Sequence, residues 1–489
     1  MKIFFGLLLI ASTVVAADLE YNAAITAVYG DDYNFYSYSE NRMDLNIFYK
    51  DVQSWIQYEY SNPPEIGFTM NDIRKFRIEY VRDDFTIKVG DIYEFWGRGL
   101  VLNQIDDQST NYDNGTRGIF LGYSNNALSI NHINGNTGIW LIGLDPRIPH
   151  YKNSHNITAN QIQYDWSSVT LGLTQLRSNE IHQKLYGDAY VNHKLNGVYG
   201  SWLINNADVF FEYVDKKSTE KISDGISHDS LKNGYGLYGN LNVYLGNWGL
   251  STEYKRYSFD RSHTDFTADD YGNRIGFQMM PTLGREQNST LLGRVVHQYN
   301  YNDERGFQVE VNGALPLDHT LTAQYSHLSR NNEWLSNTPT DWLEQEIDGF
   351  LPSSKKSALP YWESYQEISG YHFNDKLFFR IGYGINEEIL KLDWYYDGMQ
   401  TDMLIDSYWN YDTTAIPYGD GTYYYFIDST GVMDTSFTDP YSVESKLWQE
   451  GRSITFPFEL SYLFDNGYSI ELNCEYQERV KRNVSRGNA

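Results

Sequence analysis

Seven charged side chains crowd one stretch of the chain: Asp91, Glu94, Arg98, Asp106, Asp107, Asp113 and Arg117. If the loop folds inward, Arg98 and Arg117 would meet the carboxylates of Asp106, Asp107 and Asp113 at a constriction, because opposed charges across a narrow passage create a local field that selects ions. The plainer reading is that the arginines pair with those carboxylates and fix a loop to a wall, since ion pairs that only hold structure outnumber functional ones. Asp106, Asp107, Asn111, Asp113 and Asn114, and separately Asp269, Asp270 and Asn273, carry the oxygen ligands that Ca²⁺ takes. Neither run has the spacing and closing glutamate of a calcium loop, so Asx-rich turns explain them and no metal is assigned. Catalysis finds little support. Of the 11 histidines, which include His132, His182, His193, His297 and His327, none sits in a paired zinc spacing, and there is no Gly-x-Ser-x-Gly elbow. Gly97-Arg98-Gly99 opens no helix and so is no phosphate loop. The reading is a protein without cofactor and not an enzyme.

These charges belong to a loop that opens on Val89-Gly90-Asp91-Ile92-Tyr93-Glu94-Phe95-Trp96-Gly97-Arg98-Gly99-Leu100-Val101-Leu102 and runs through Asp113 to Arg117. Glycines beside large aromatics point to a tight backbone turning inside something packed. What positions it is strand. Phe85, Ile87 and Val89 alternate with Thr86 and Lys88, and Phe76, Ile78 and Tyr80 alternate with Arg77 and Glu79. Leu45 to Tyr49, Phe307 to Val311 and Tyr468 to Tyr476 repeat the pattern. One apolar and one polar face is the half-buried strand signature.

Short turns are expected at Arg82-Asp83-Asp84, Ser124-Asn125-Asn126, Asn205 to Asp208, Gly246-Asn247, Asn302-Asp303, Asn374-Asp375 and Asp465-Asn466-Gly467. Long polar loops alternate with them: Glu94 to Thr116, Leu144 to Ile157, Asp215 to Asn233, Ser258 to Asp270, Leu328 to Ser357 and Asp397 to Gly451. Leu328 to Tyr361 has room for a short helix, and Tyr423 to Phe426 for the core of a strand pair. Short turns at one end and long extracellular loops at the other is the layout of an outer-membrane barrel. The fold class is therefore all-β, a large single antiparallel transmembrane β-barrel of roughly 20–24 strands, since closure hides every edge. Alternation alone leaves open which face meets water; a soluble exported β protein would put its polar faces outward.

Composition points the same way. Aromatics make up 16% of the 489 residues, including 43 Tyr and 12 Trp, although mean hydropathy is negative. Barrels reconcile the two with aromatic girdles and a polar interior. The start supplies export: Lys2, the apolar run Ile3 to Ile10 and Val14-Val15-Ala16-Ala17 form a secretory signal peptide over 1–17, leaving 18–489 as the barrel domain. No later stretch has the apolar length of a spanning helix. A net charge of −26 argues against nucleic acid as a partner and against docking on anionic lipid through basic residues; acidic surface loops kept soluble by repulsion are the plainer reading, and a cation-preferring acidic lumen or divalent-cation bridging to lipopolysaccharide the sharper one. Outer-membrane lipids with lipopolysaccharide, and small solutes, are the partners expected. Cys474 shares an apolar strand face with Ile470, Leu472 and Tyr476 and reads as a small hydrophobe. Loop tryptophans Trp334, Trp342, Trp362, Trp409 and Trp448 offer stacking surfaces for a glycan, but girdle or loop core is the simpler role. The chain finishes on Lys481 to Ala489, neither strand nor aromatic, and reads as cut short of a partner for its last strand.

The stretch from Val89 to Leu102 resembles the "GNFYEQFGSGL" signature of an uncharacterised Bacteroidetes-type outer-membrane β-barrel family, the domain of unknown function numbered 6029. Tyr112-Asp113-Asn114-Gly115-Thr116-Arg117-Gly118 is similar to its "IDNSxRG" element. Asp44 to Tyr60 resembles its first strand pair and Ser453 to Gln477 its late strands. Phe95-Trp96-Gly97-Arg98 departs from the milder residues of the pattern. The resemblance implies a barrel and an outer membrane and brings no substrate. On these grounds the expected function is a porin-like channel for small solutes, with cation preference; the alternative is a non-conducting surface barrel that binds a protein or glycan through Leu328 to Ser357 and Asp397 to Gly451.

Overall fold

The structure is a computed structural model that describes the chain apart from residues 1–18, 33–35, 66–68, 108–111, 143–148, 185–186, 223–229, 260–277, 279, 285–288, 294–296, 298, 300–302, 339–340, 392–414, 418–422, 426–447 and 485–489. The expected signal peptide lies outside the described residues. No described helix is long and apolar enough to cross a membrane.

The strands in chain order are β1 (Leu19–Asp32), β2 (Tyr36–Tyr49), β3 (Val52–Ser61), β4 (Met70–Arg82), β5 (Phe85–Ile92), β6 (Asp106–Asp107), β7 (Tyr112–Asp113), β8 (Thr116–Ser124) and β9 (Leu128–Ile142). Then come β10 (Pro149–Asp165), β11 (Val169–Lys184), β12 (Gly187–Ile204), β13 (Ala207–Ile222), β14 (Ser230–Leu245), β15 (Trp248–Ser258), β16 (Asp303–Leu315) and β17 (His319–Ser329). The last are β18 (Asn332–Thr338), β19 (Asp341–Glu346), β20 (Tyr361–His372), β21 (Leu377–Lys391), β22 (Ala415–Pro417), β23 (Tyr423–Tyr425), β24 (Trp448–Leu463) and β25 (Ser469–Val484). Nineteen of them form one sheet in which each strand pairs antiparallel with the next. The pairs β6–β7, β18–β19 and β22–β23 stand apart from it.

Among the described residues the sheet has nineteen strands, just below the expected range, because alternation in loop segments, such as Asn332 to Glu346 and Tyr423 to Tyr425, makes small local hairpins rather than staves of the sheet. Among the described residues β1 pairs only with β2 and β25 only with β24, so the sheet is open between them.

Turns fall where Gly, Asn and Asp supply left-handed backbone: Asp83, Asn205, Gly246, Asn374, Asp375 and Gly467 all have positive φ. Lys50-Asp51, Trp166 to Ser168 and Pro316 to Asp318 make further tight turns that sequence reading passed over. Asn302-Asp303 is no short turn, because β16 begins at Asp303 after a long connection from Ser258. Strand reaches further than expected elsewhere. β10 begins at Pro149, β13 runs to Ile222 and β25 to Val484. Polar residues on both faces of Lys216 to Thr219 hide the period of two, while the backbone ladder with β14 continues. Leu328 to Tyr361 holds a hairpin and a 3₁₀ turn at Lys356–Ala358 instead of an α-helix.

Sidedness is inverted relative to a soluble sheet. On β11, Leu171 and Leu173 are 42% and 60% exposed, whereas Thr174, Leu176, Ser178 and Glu180 on the opposite face are 5% or less. The apolar residues of β5, Phe85, Ile87 and Val89, are likewise exposed, and Gln161, Glu212 and Lys255 on other strands are buried. Cys474 is exposed together with Ile470, Leu472 and Tyr476, as their shared face implies. Exposed rings gather near the short turns, among them Trp166, Trp202, Tyr244, Trp248 and Phe373. Trp362 is half-buried on β20; the side chains of the other four loop tryptophans lie outside the described residues.

Candidate functional site

The loop between β5 and β8 folds onto the inner face of the sheet. Ile92, Trp96, Leu100, Val101 and Leu102 are buried in one cluster with Phe120, Ile133, Leu176, Leu195 and Val214 from the inward-facing strand positions. Local hydrogen bonds shape its tip. Trp96 N–H donates to Leu102 O at 3.1 Å, Gly99 N–H to Trp96 O at 3.0 Å and Gln104 N–H to Glu94 O at 3.0 Å. Its base is pinned by amide side chains: Gln104 Nε2 donates to Thr116 Oγ1 at 2.6 Å, and Asn114 Nδ2 donates to Asn103 O at 2.7 Å. Glu212 on β13 receives the tip. Its carboxylate accepts the backbone N–H of Arg98 at 2.5 Å and that of Leu100. Gly97 has φ +62, and a Cβ there would lie 2.6 Å from Glu212 Oε2, so glycine lets the backbone reach this carboxylate.

The seven predicted charges separate into distinct places. Asp91 takes Arg117 in a bidentate pair at 2.9 and 3.0 Å and also accepts Phe76 N–H at 2.8 Å. Arg117 shares its strand face with exposed Ile119 and Leu121, and its guanidinium lies over the Phe76 ring. This pair therefore sits on the outward face, where it ties β5 to β8 and takes no part in the interior. Glu94 pairs with Lys88 at 2.9 Å. Arg98, exposed on the inner side, places its guanidinium over Phe210.

Arg98 and Arg117 thus do not meet Asp106, Asp107 and Asp113, and that expectation is corrected. Lys75, which is buried, takes their place, with Nζ 2.5 Å from Asp106 and 3.0 Å from Asp113. Asp107 stands opposite Tyr112 in the β6–β7 pair. The physical cause is a register shift between Gln57 and Tyr58, which leaves Arg74 without a partner position on β3. The bulge re-aims its neighbours: Arg74 turns to Glu59 at 2.5 Å and Lys75 to the loop. Tyr93 donates to Asp113 at 3.0 Å; burial first, then the Asp113 and Asp106 charges, pushes its pKa up and keeps it a donor. Lys75→Met is expected to destabilise the protein by about 3 kcal/mol in urea unfolding, since removing one partner strands the carboxylates. An unfolding midpoint equal to wild type would contradict that pairing.

A second inserted segment escaped sequence reading. Gln278 Nε2 donates to Leu100 O at 2.5 Å, and Met280 and Leu283 join the same apolar cluster. Further on, Thr290 and Leu291 N–H groups donate to the Glu475 carboxylate of β25 at 2.8 and 2.7 Å. His297 follows, stacked on Tyr361, with Nδ1 2.9 Å from Glu388 and Nε2 3.6 Å from Glu304. Burial opposes its charge, but those two carboxylates outweigh burial and raise its pKa. Lys255 completes the group at 2.8 Å from Glu304. The one sequence signal for this segment is the loss of alternation before Asp303. Glu212, Gln104 and Lys75 left no signal beyond being polar.

Fold and site together define an all-β protein whose single large antiparallel sheet carries polar residues inside, apolar residues outside and two chain segments laid against its inner face. The chain belongs to the family described as "Family of unknown function (DUF6029)", whose model matches residues 9–339. No curated protein matches the sequence. Among solved structures it is similar to the outer membrane protein OpdK of Pseudomonas aeruginosa, at 10% identity over 76% of this chain and 94% of that one, with a TM-score of 0.38. It is also similar to OccK3 (OpdO) of the same organism, at 11% identity over 76% and 92%, TM-score 0.39. These likenesses are too distant to carry a function.

Proposed function

We propose that the sheet closes as a transmembrane barrel in a bacterial outer membrane and passes small solutes as a porin-like channel, narrowed by the loop after β5. One observation carries the reading: the outward face is apolar and ringed by aromatics near the turns, while the enclosed face is polar. Only a lipid surround makes that arrangement favourable. Inward carboxylates support cation preference. Glu253, Glu363 and Glu367 accept the hydroxyls of Tyr238, Tyr361 and Tyr365 on the inner face. Arg98, Asp106, Asp107 and Asp113 would belong to the narrowing; Asp91, Glu94 and Arg117 would hold it.

A second reading, a non-conducting barrel that offers its long loops to a protein or glycan, is favoured by the further residues Gln278, Met280, Leu283 and Tyr299 packed inside the sheet. Single-channel recording in a planar bilayer separates the two. Open steps with a reversal potential displaced toward the cation equilibrium value in a salt gradient are expected. Insertion with heat-modifiable mobility but no current supports the second reading, and a displacement toward the anion value removes the cation preference.

A further inference from the structure

The outward face holds two arginines that its apolar surroundings do not explain. Arg256 on β15 and Arg305 on β16 are direct cross-strand partners. They lie on the face opposite the buried Lys255 and Glu304, at the end of these strands away from the short turns. Like charges directly opposite each other are destabilising. Carboxylates do little to relieve them. Arg305 forms no ion pair among the described residues, and Arg256 reaches only Glu346, at 3.7 Å, whose side chain is 53% exposed.

Carbonyls supply part of the coordination. Arg305 Nη1 donates to Ile347 O and Gly349 O, and Arg256 donates to Gly349 O and Asn331 Oδ1. Arg305 is nevertheless wholly buried, and its Nε and Nη2 have no acceptor. Two unsatisfied N–H groups on a buried cation are costly unless something fills them. A guanidinium that presents Nε and Nη2 side by side offers the fork that takes two oxygens of a phosphate. Gly349 O is shared by Arg305 Nη1 and Arg256 Nη1, which draws the two guanidinium groups together. Phe350, stacked on Tyr254, and Leu351 stand exposed next to it. Apolar anchors beside a cation pair is the chemistry of a lipid interface.

We propose that Arg256 and Arg305 form a binding site for a phosphate group, the two idle Arg305 donors and the Arg256 charge being its ligands. The chemistry fits a phosphorylated lipid headgroup in the outer leaflet or free phosphate. The lipid source rests on the membrane reading above; the site itself does not.

Native mass spectrometry of the full chain in neutral detergent tests this, with three probes: diphosphorylated lipid A, the same lipid dephosphorylated, and inorganic phosphate. Retention of the phosphorylated lipid over its dephosphorylated form is expected, with affinity falling about tenfold in Arg256→Gln and recovering in Arg256→Lys, as loss of a charge-assisted contact implies. Retention of inorganic phosphate as well would make the phosphate alone the determinant; retention of lipid alone would make the acyl chains part of it. Equal retention of the two lipids with no binding of inorganic phosphate, or unchanged binding of the retained probe by both Arg256→Gln and Arg305→Gln, would overturn the site. Heat-modifiable mobility of each variant shows that it has folded. Because none of these probes reads current, failure of the channel reading and failure of this site are separate results.

Discussion

Gly90→Ala is expected to lower stability by about 3 kcal/mol or more, read as a loss of folded, heat-modifiable protein and an earlier urea midpoint. Gly90 has φ +116, and a Cβ there would lie 2.1 Å from Phe76 O. The conformation alone costs about 1–3 kcal/mol for a residue with a side chain. The clash adds to it, because a carbonyl in a strand has no flexible end to move aside. Gly90 stands opposite Gly118, and Gly118 opposite Gly135, so three glycines run in register across β5, β8 and β9. Glycine rows of this kind let a sheet bend sharply, and this row lies two residues before β5 ends at Ile92 and the inserted loop begins. Gly246→Ala is the control. It too has positive φ, +62, but nothing within 4 Å, so only the conformational cost of about 1–2 kcal/mol is expected. If the two variants lost the same stability, the close approach at Gly90 would not matter.

Glu212→Ala is expected to release the tip of the inserted loop and raise single-channel conductance. The carboxylate is wholly buried and holds the Arg98 and Leu100 N–H groups. A buried hydrogen bond contributes about 0.5–1.5 kcal/mol net, so losing the two shifts the balance between docked and released loop by about tenfold to a hundredfold. The alanine also leaves those N–H groups without an acceptor on the inner wall. Glu212→Gln keeps the shape and one acceptor oxygen and is expected to fall between the two. Currents from the alanine variant that match wild type in size and open fraction would show that this contact does not control passage.

Much of this was legible in the chain. The alternation of Phe85 to Val89 and Phe76 to Tyr80 marks strands, because side chains on a pleated backbone point to opposite sides by turns. Asp83, Asn205 and Gly246 mark turns, because few residues accept left-handed backbone. The glycines and aromatics from Gly90 to Leu102 mark a packed loop, and the family follows from the same residues. These signals are local, carried by each residue's own conformational preferences.

What tertiary structure decided are the relations between residues distant in sequence. Which face is buried depends on what surrounds the sheet, and alternation reads the same either way. Arg98 and Glu212 lie 114 positions apart and meet only because six strands of the sheet bring them together. Lys75 displaced the expected arginines because one extra residue in β4 moved the register, and a register is set by cross-strand hydrogen bonds that leave no mark on composition. Arg256 and Arg305 are distant in sequence and come together only because β15 and β16 place them side by side. Periodicity and turn chemistry are short-range and survive in a single sequence; pairing energies act across space and exist only once the strands are aligned.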